Sequence, residues 1–226
     1  MLRAVIFDFD GVITDSEILH LRAFNEVLSE EHVQVSTRDY YRNYLGLTDL
    51  DLLKLLVEKK LLKADSARIN ELAEHKKKVF ERLARTEGSI FEGVRDFLQM
   101  LASDGIPMAI CSGALQGEIE LILLEAKLRS FFKVIVSAEQ VKKAKPHPEG
   151  FLLALDKLNQ IKPYHIQASD CVVIEDSHWG IQAAKAAGMP TVAVTNSYDA
   201  EQLSGADKIV GRLSEMSLTT LQHMCL

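Results

Sequence analysis

The side chains best suited to chemistry are four carboxylates, a hydroxyl and a lysine, each standing just beyond a short apolar run. Asp8 and Asp10 sit two residues apart after the run at 4–7; Gly11 allows a sharp turn behind them, and Thr14-Asp15-Ser16 offers caps to a helix. Ser112 follows the run at 107–111, with Gly113 and Ala114 next as backbone N–H donors near a helix start. Lys145 lies in the loop after the run at 133–137, and Glu175-Asp176 follows the run at 171–174. Taken singly, each has a plainer use. Acidic residues often end strands, Ser112 could cap a helix, Lys145 could be one exposed lysine beside Lys142 and Lys143, and Glu175-Asp176-Ser177 could cap the helix that follows. Taken together, in this order, they describe phosphoryl transfer. Four carboxylates in one small cleft need compensation, and hard oxygen ligands suit Mg²⁺. A lysine and a hydroxyl beside such a cation match the oxygens of a phosphoryl group. One carboxylate is then available as nucleophile and a second as proton shuttle, the chemistry of an aspartyl-phosphate.

For these groups to meet, the apolar runs have to be neighbouring strands. From Glu92 onward such runs alternate with helical patterns at 93–104, 116–126, 148–158 and 177–187, with further strands at 191–194 and 207–210. That alternation predicts βαβ units and an α/β fold with a doubly wound parallel sheet. All carboxyl-terminal strand ends of a parallel sheet share one edge, where open α/β folds place their ligands. Between 16 and 87 the pattern is helical throughout. It predicts a helix over 16–31 with Ser16 as N-cap, a short segment over 39–45 ending at Gly46, and apolar stripes at 50–57 and 69–83. The block reads as an all-helical cap domain, 16–87, inserted into an α/β core made of 1–15 and 88–226, with 11–16 as the hinge between them. Lys76-Lys77-Lys78 on its last helix reads first as a solvated face, and alternatively as a contact to a substrate phosphate.

A chain of 226 residues can bury a substantial core. Its formal charge of −6 carries no electrostatic footprint for nucleic acid. No apolar run approaches the ~20 residues that span a bilayer. The chain enters a strand at once, so no signal peptide and a cytoplasmic location are expected. Cys111, Cys171 and Cys225 have no metal-type spacing, and the first two read as buried thiols. The expected partner is a small phosphorylated metabolite, with no nucleic acid, no membrane, and a monomer or weak dimer.

The segments DFDGVITDS at 8–16, Ser112 in CSGA, Lys145 in KAKPHPEGF and EDSHWG at 175–180 resemble the four motifs of the haloacid dehalogenase superfamily. The resemblance runs through essentially the whole chain and is nearest to the branch of β-phosphoglucomutase, phosphoglycolate phosphatase and small sugar phosphatases. It implies a Mg²⁺-dependent phosphatase acting through an aspartyl-phosphate. Asp8 would be the nucleophile and Asp10 the general acid/base. Mg²⁺ would be held by Asp8, the Asp10 backbone carbonyl, Asp176, and Glu175 directly or through water. Ser112 and Lys145 would hold the phosphoryl oxygens, with Gly113 a further donor by its place near a helix start. His20, Thr48 and Lys77 of the cap are candidate substrate contacts, His20 reading also as an ordinary surface histidine. An ordinary aspartate is only ~0.1% protonated near neutral pH, so Asp10 needs a raised pKa to act as an acid.

Within the superfamily, Asp10 speaks against dehalogenases and phosphonatases. The mutase is nearer, because residues 8–24 resemble its opening, His20 included. In the segment 46–49, however, the mutase has an arginine where this chain has Asp49, and an acidic residue would repel a second phosphate. Hydrolysis of a phosphate monoester is therefore expected over isomerisation. A phospho-accepting receiver domain has its acidic pair and its acceptor aspartate in the reverse order. A catalytically idle protein on this fold would have lost Asp8, Asp10 or Lys145.

Overall fold

The short runs carry apolar or β-branched residues at nearly every position, the composition of strands covered on both faces. In the computed structural model, which describes residues 1–45, 47–87, 90–161 and 164–225, they form β1 (Ala4–Phe7), β2 (Met108–Cys111), β3 (Phe132–Val136), β4 (Cys171–Glu175), β5 (Thr191–Val194) and β6 (Lys208–Val210). All pair in parallel, in the order β3-β2-β1-β4-β5-β6. The chain winds outward one way from β1 and the other way from β4, so the direction reverses between them. That reversal is the switch point where such sheets bind ligands. β1 and β4 run in register from Ala4 opposite Cys171 to Phe7 opposite Ile174, which puts Asp8 and Glu175 at one level of the sheet edge.

The chain divides into two compact units, Met1–Asp15 with Ser89–Leu226, and Ser16–Gly88. The second contains α1 (Glu17–Leu28), α2 (Thr37–Asn43), α3 (Asp49–Glu58) and α4 (Ser66–Glu87), with α4 packed on both α1 and α3. The first contains α5 (Val94–Ser103), α6 (Gln116–Glu125), α7 (Glu149–Ile161), α8 (His178–Ala186) and α9 (Leu218–His223). α5 buries Val94, Phe97, Leu98 and Leu101, the i, i+3, i+4, i+7 stripe of a helix lying on a sheet. On one side of the sheet Phe151 and Leu158 of α7 and Ala183 and Ala184 of α8 pack with Ile6, Ala109 and Val173. Phe7 is fully buried and held edge-on by Phe97 at 6.0 Å and Phe132 at 5.8 Å, which anchors the chain one residue before Asp8.

Three details differ from the sequence reading. α1 ends at Leu28 and tightens into a 3₁₀ turn over Ser29–Glu31. Ser16 does not cap it with its side chain; its backbone is already helical (φ −79°, ψ −22°), and its carbonyl accepts from Leu19 and His20. Glu175 does not follow β4 but is its last residue, paired with Ala193 of β5 and wholly buried. Gly46, the expected end of the short segment, lies outside the described residues. No described helix is long and apolar enough to cross a membrane.

Candidate active site

β1 delivers Asp8 to the switch point, where its N–H donates to the Ile174 carbonyl at 2.9 Å. The chain then folds back: the N–H groups of Ile13 and Thr14 bond the Phe9 carbonyl, and that of Gly11 bonds the Thr14 carbonyl. Gly11 takes φ +76°, and a Cβ there would lie 1.8 Å from Asp176 Oδ2. A side chain of any size is thus excluded where the turn meets β4.

Lys145 is the cation of the cluster. Its Nζ donates to Asp8 Oδ1 at 2.5 Å and to Glu175 Oε1 at 2.6 Å, and lies 5.1 Å from the Phe151 ring centroid. Glu175 is fully used. Its Oε2 accepts from the N–H groups of Asp176 and Ser177 and from the Ser177 hydroxyl. A Cβ on Gly180 would lie 1.7 Å from Glu175 Oε1, so the first turn of α8 has to carry glycine there. Ser177 is the N-cap of α8, accepting from the Gly180 N–H. Ser112 donates to Asp10 Oδ2 at 3.4 Å and accepts from the Ala114 N–H at 3.0 Å. It is not a helix cap, because α6 begins later with Leu115 as N-cap. The Ala114 N–H, expected to face an anion, is bound to this hydroxyl instead, and Gly113 beside it is exposed.

The fold therefore brings Asp8, Asp10, Ser112, Lys145, Glu175 and Asp176 to one place, and single carboxylate oxygens of Asp8, Glu175 and Asp176 lie within 4.8 Å of one another. One lysine does not balance so many buried acids. Burial pushes the Asp8 carboxyl up to about 7; Lys145 opposes this, and Glu175 and Asp10 add to it. Asp176 is held well above the carboxylate range by burial and by Glu175 and Asp8, with a hydrogen bond from Ser197 acting the other way. Burial pulls Lys145 down, but Asp8 and Glu175 together carry it well above the usual lysine range. The oxygen-only donor set and its uncompensated negative charge fit a hard divalent cation. His147, exposed just beyond Lys145-Pro146, accepts locally from the Glu149 N–H, while His178 packs on Trp179 and Tyr198.

The candidate cap residues belong to the helical unit, which brings only one of them into a polar cluster. His20 is half-buried and stacked on Phe80 at 4.1 Å, and its Nδ1 faces Lys76 Nζ at 2.6 Å. Burial, then Lys76, holds the imidazole well below its ordinary pKa, so it is neutral and accepts at Nδ1. Lys76, read from sequence as part of a solvated face, is 1% exposed and bonded to Asp49 Oδ1 at 2.6 Å. Lys77, the lysine chosen from sequence, is exposed, because one residue turns a helix by about 100°. Thr48 caps α3: its hydroxyl accepts from the Asp51 N–H and donates to Asp51 Oδ2. The apolar stripe of α4 placed Val79, Phe80 and Leu83 inside, and Lys76 lies on that stripe at i−3 and i−4; this was the signal that could have found it. Asp49→Ala should destabilise the protein by roughly 1–2 kcal/mol, discounted because Asp49 is itself partly exposed, since it leaves a buried ammonium without its counter-charge. Adding Lys76→Met should recover most of that loss in urea unfolding, and strict additivity of the two changes would contradict the pairing.

Fold and cluster together define a class, an α/β enzyme whose carboxylates, lysine and hydroxyl gather at the switch point of a parallel sheet. The family model described as haloacid dehalogenase-like hydrolase matches residues 5–194, and the chain belongs to that family. A phosphorylated carbohydrates phosphatase from Thermotoga maritima is 34% identical over 84% of this chain and 84% of its own length. A beta-phosphoglucomutase from Bacillus subtilis is 29% identical over 98% of this chain and 95% of its own. The solved structure of CbbY from Rhodobacter sphaeroides in complex with phosphate has a TM-score of 0.85 over 98% of this chain and 100% of that one; at 24% identity it supports the fold alone.

Proposed function

We propose that this enzyme is a phosphatase that hydrolyses a phosphorylated sugar or similar small phosphate monoester through an aspartyl-phosphate on Asp8. The observation that carries the reading is the meeting of Asp8, Lys145 and Glu175 at 2.5–2.6 Å, with Asp10, Ser112 and Asp176 beside them, from four separate strand ends. An Asp8 oxygen attacks phosphorus as the bond to the leaving sugar oxygen breaks, and Asp10 gives that oxygen its proton. Water then attacks phosphorus, Asp10 takes its proton, and phosphate leaves Asp8 regenerated. Lys145 and Ser112 hold phosphoryl oxygens; Glu175, saturated by Lys145 and by three donors at its own strand end, keeps Lys145 in place. Mg²⁺ held by Asp8, the Asp10 carbonyl and Asp176, with Glu175 reaching it through water, would offset charge on the phosphoryl oxygens. The helical unit would act as a cap that selects the leaving group, with His20 as its candidate contact and Thr48 and Lys77 as weaker ones.

Phosphate release from p-nitrophenyl phosphate and a panel of sugar phosphates tests this, and activity that survives full chelation would remove the metal from the reading. A pH experiment tests it separately. In the metal-free protein Asp8, at about 7, and Asp176 keep protons that the unfolded chain releases near 3.8. The native state then binds more protons than the unfolded one, so stability should fall as pH rises from about 4 through about 7. Mg²⁺ held there would relieve the repulsion among these acids. The thermal shift it produces should be larger near pH ~8 than near pH ~5. Equal shifts would place the ion elsewhere.

A second reading is favoured by the match to the Bacillus subtilis mutase along nearly the whole chain. Asp49, read from sequence as a bare negative charge, is paired with Lys76. The pair still offers no net positive charge to a second phosphate. Conversion of β-glucose 1-phosphate to glucose 6-phosphate faster than phosphate release would decide for the mutase.

A further inference from the structure

The carboxyl end of β5 runs into a polar stretch, Thr195-Asn196-Ser197, that no step of the proposed reaction uses, yet it touches the site at two points. Asn196 Nδ2 donates to the Gly11 carbonyl at 2.7 Å. The Ser197 hydroxyl lies beside the Asp176 carboxylate and favours its charged form. A Cβ on Gly11 would lie 1.8 Å from Asp176 Oδ2 and 2.7 Å from Ser197 Oγ, so both groups close on the same α-carbon.

Each contact limits a freedom the chemistry cannot tolerate. The N–H of Gly11 bonds the Thr14 carbonyl, and because C=O and N–H of a trans peptide point oppositely, that bond aims the Asp10 carbonyl away from Thr14. Glycine is the residue with the loosest backbone. A second tether on its own carbonyl is what stops the Asp10–Gly11 turn from rocking. At Asp176 the carboxylate can rotate about its terminal bond, one of its oxygens lies within 4.8 Å of one oxygen each of Asp8 and Glu175, and a hydroxyl beside it limits that rotation.

We propose that Asn196 and Ser197 are positioning residues of the phosphoryl-transfer site: Ser197 orients Asp176 for the cation, and Asn196 holds the turn that carries Asp10. This rests on the roles of Asp8, Asp10 and Asp176 given above. Neither residue touches the reacting atoms, and both act through groups that do.

The test is Mn²⁺ binding to the intact chain, read by electron paramagnetic resonance, alongside turnover of p-nitrophenyl phosphate. Ser197→Ala should weaken Mn²⁺ by about 10-fold, while Ser197→Thr, which keeps the hydroxyl, binds like wild type. Asn196→Ala should lower kcat by about 10-fold with KM unchanged, and Asn196→Asp, which has no N–H to donate, should not rescue it. Asn196 is exposed and Ser197 half-buried, so these variants should keep a cooperative melt. If Ser197→Ala does not, Ser197→Thr against Ser197→Cys reads the same difference, because a thiol is a weak donor. Wild-type Mn²⁺ affinity in Ser197→Ala, or wild-type kcat in Asn196→Ala, overturns the assignment of that residue. A wild-type protein that binds no Mn²⁺ overturns instead the metal reading on which the inference stands.

Discussion

Asp8→Asn is expected to abolish turnover and, in the absence of metal, to make the protein more stable. The amide cannot attack phosphorus, so kcat should fall by on the order of 10⁴-fold or more, as when a covalent nucleophile is removed. The gain in stability has a separate origin. Asp8, Glu175 and Asp176 are all buried around a single lysine, and burial alone already pushes Asp8 toward its neutral form. A neutral amide removes the cost of ionising a buried acid beside two others as pH approaches 7, and Lys145 keeps Glu175 as a partner at 2.6 Å. The melting midpoint in chelator at neutral pH should therefore rise, and the added stabilisation by Mg²⁺ should shrink. Residual phosphate release near the wild-type rate would remove Asp8 from its role. A lower midpoint in chelator would mean that the Lys145 ion pair, and not the repulsion among the acids, dominates the energetics here.

Gly11→Ala should cost on the order of 3–5 kcal/mol and take metal binding with it. A non-glycine residue at φ +76° costs about 1–2 kcal/mol by itself. The larger cost is steric, since the new Cβ would sit 1.8 Å from Asp176 Oδ2 and 2.7 Å from Ser197 Oγ. Either the turn or Asp176 has to move, and either shift would separate the Asp10 carbonyl from the carboxylate proposed to share the cation with it. Gly105→Ala is the control: it shares the positive φ (+71°) but has nothing within 4 Å, so it should show the strain without the loss of metal. Urea unfolding compared with Mn²⁺ titration separates the two costs. Similar metal affinity in both variants would show that Asp176 yields easily and that the close approach at Gly11 is not needed.

The parallel sheet was legible in the sequence, which also marked the helical block and the six polar residues that the fold brings together. Those elements are local: a strand buried on both faces needs an unbroken apolar run, as at 4–7 and 171–174, and a turn between carboxylate and helix needs Gly11. The chemistry was legible because acids at the ends of different parallel strands can only converge on one edge. Tertiary structure decided everything that depends on which neighbour answers a charge. Lys76 lies one residue from Lys77, and only packing against Phe24 and Phe80 and pairing with Asp49 put the first inside and left the second in water. Glu175 looked like one more acid after a strand, but it is buried between Lys145, from a loop some thirty residues earlier, and the donors of Asp176 and Ser177. Asn196 and Ser197 carry no motif of their own. They matter because β5 lies beside β4, a neighbour relation that hydrogen bonding across the sheet sets and local sequence does not display.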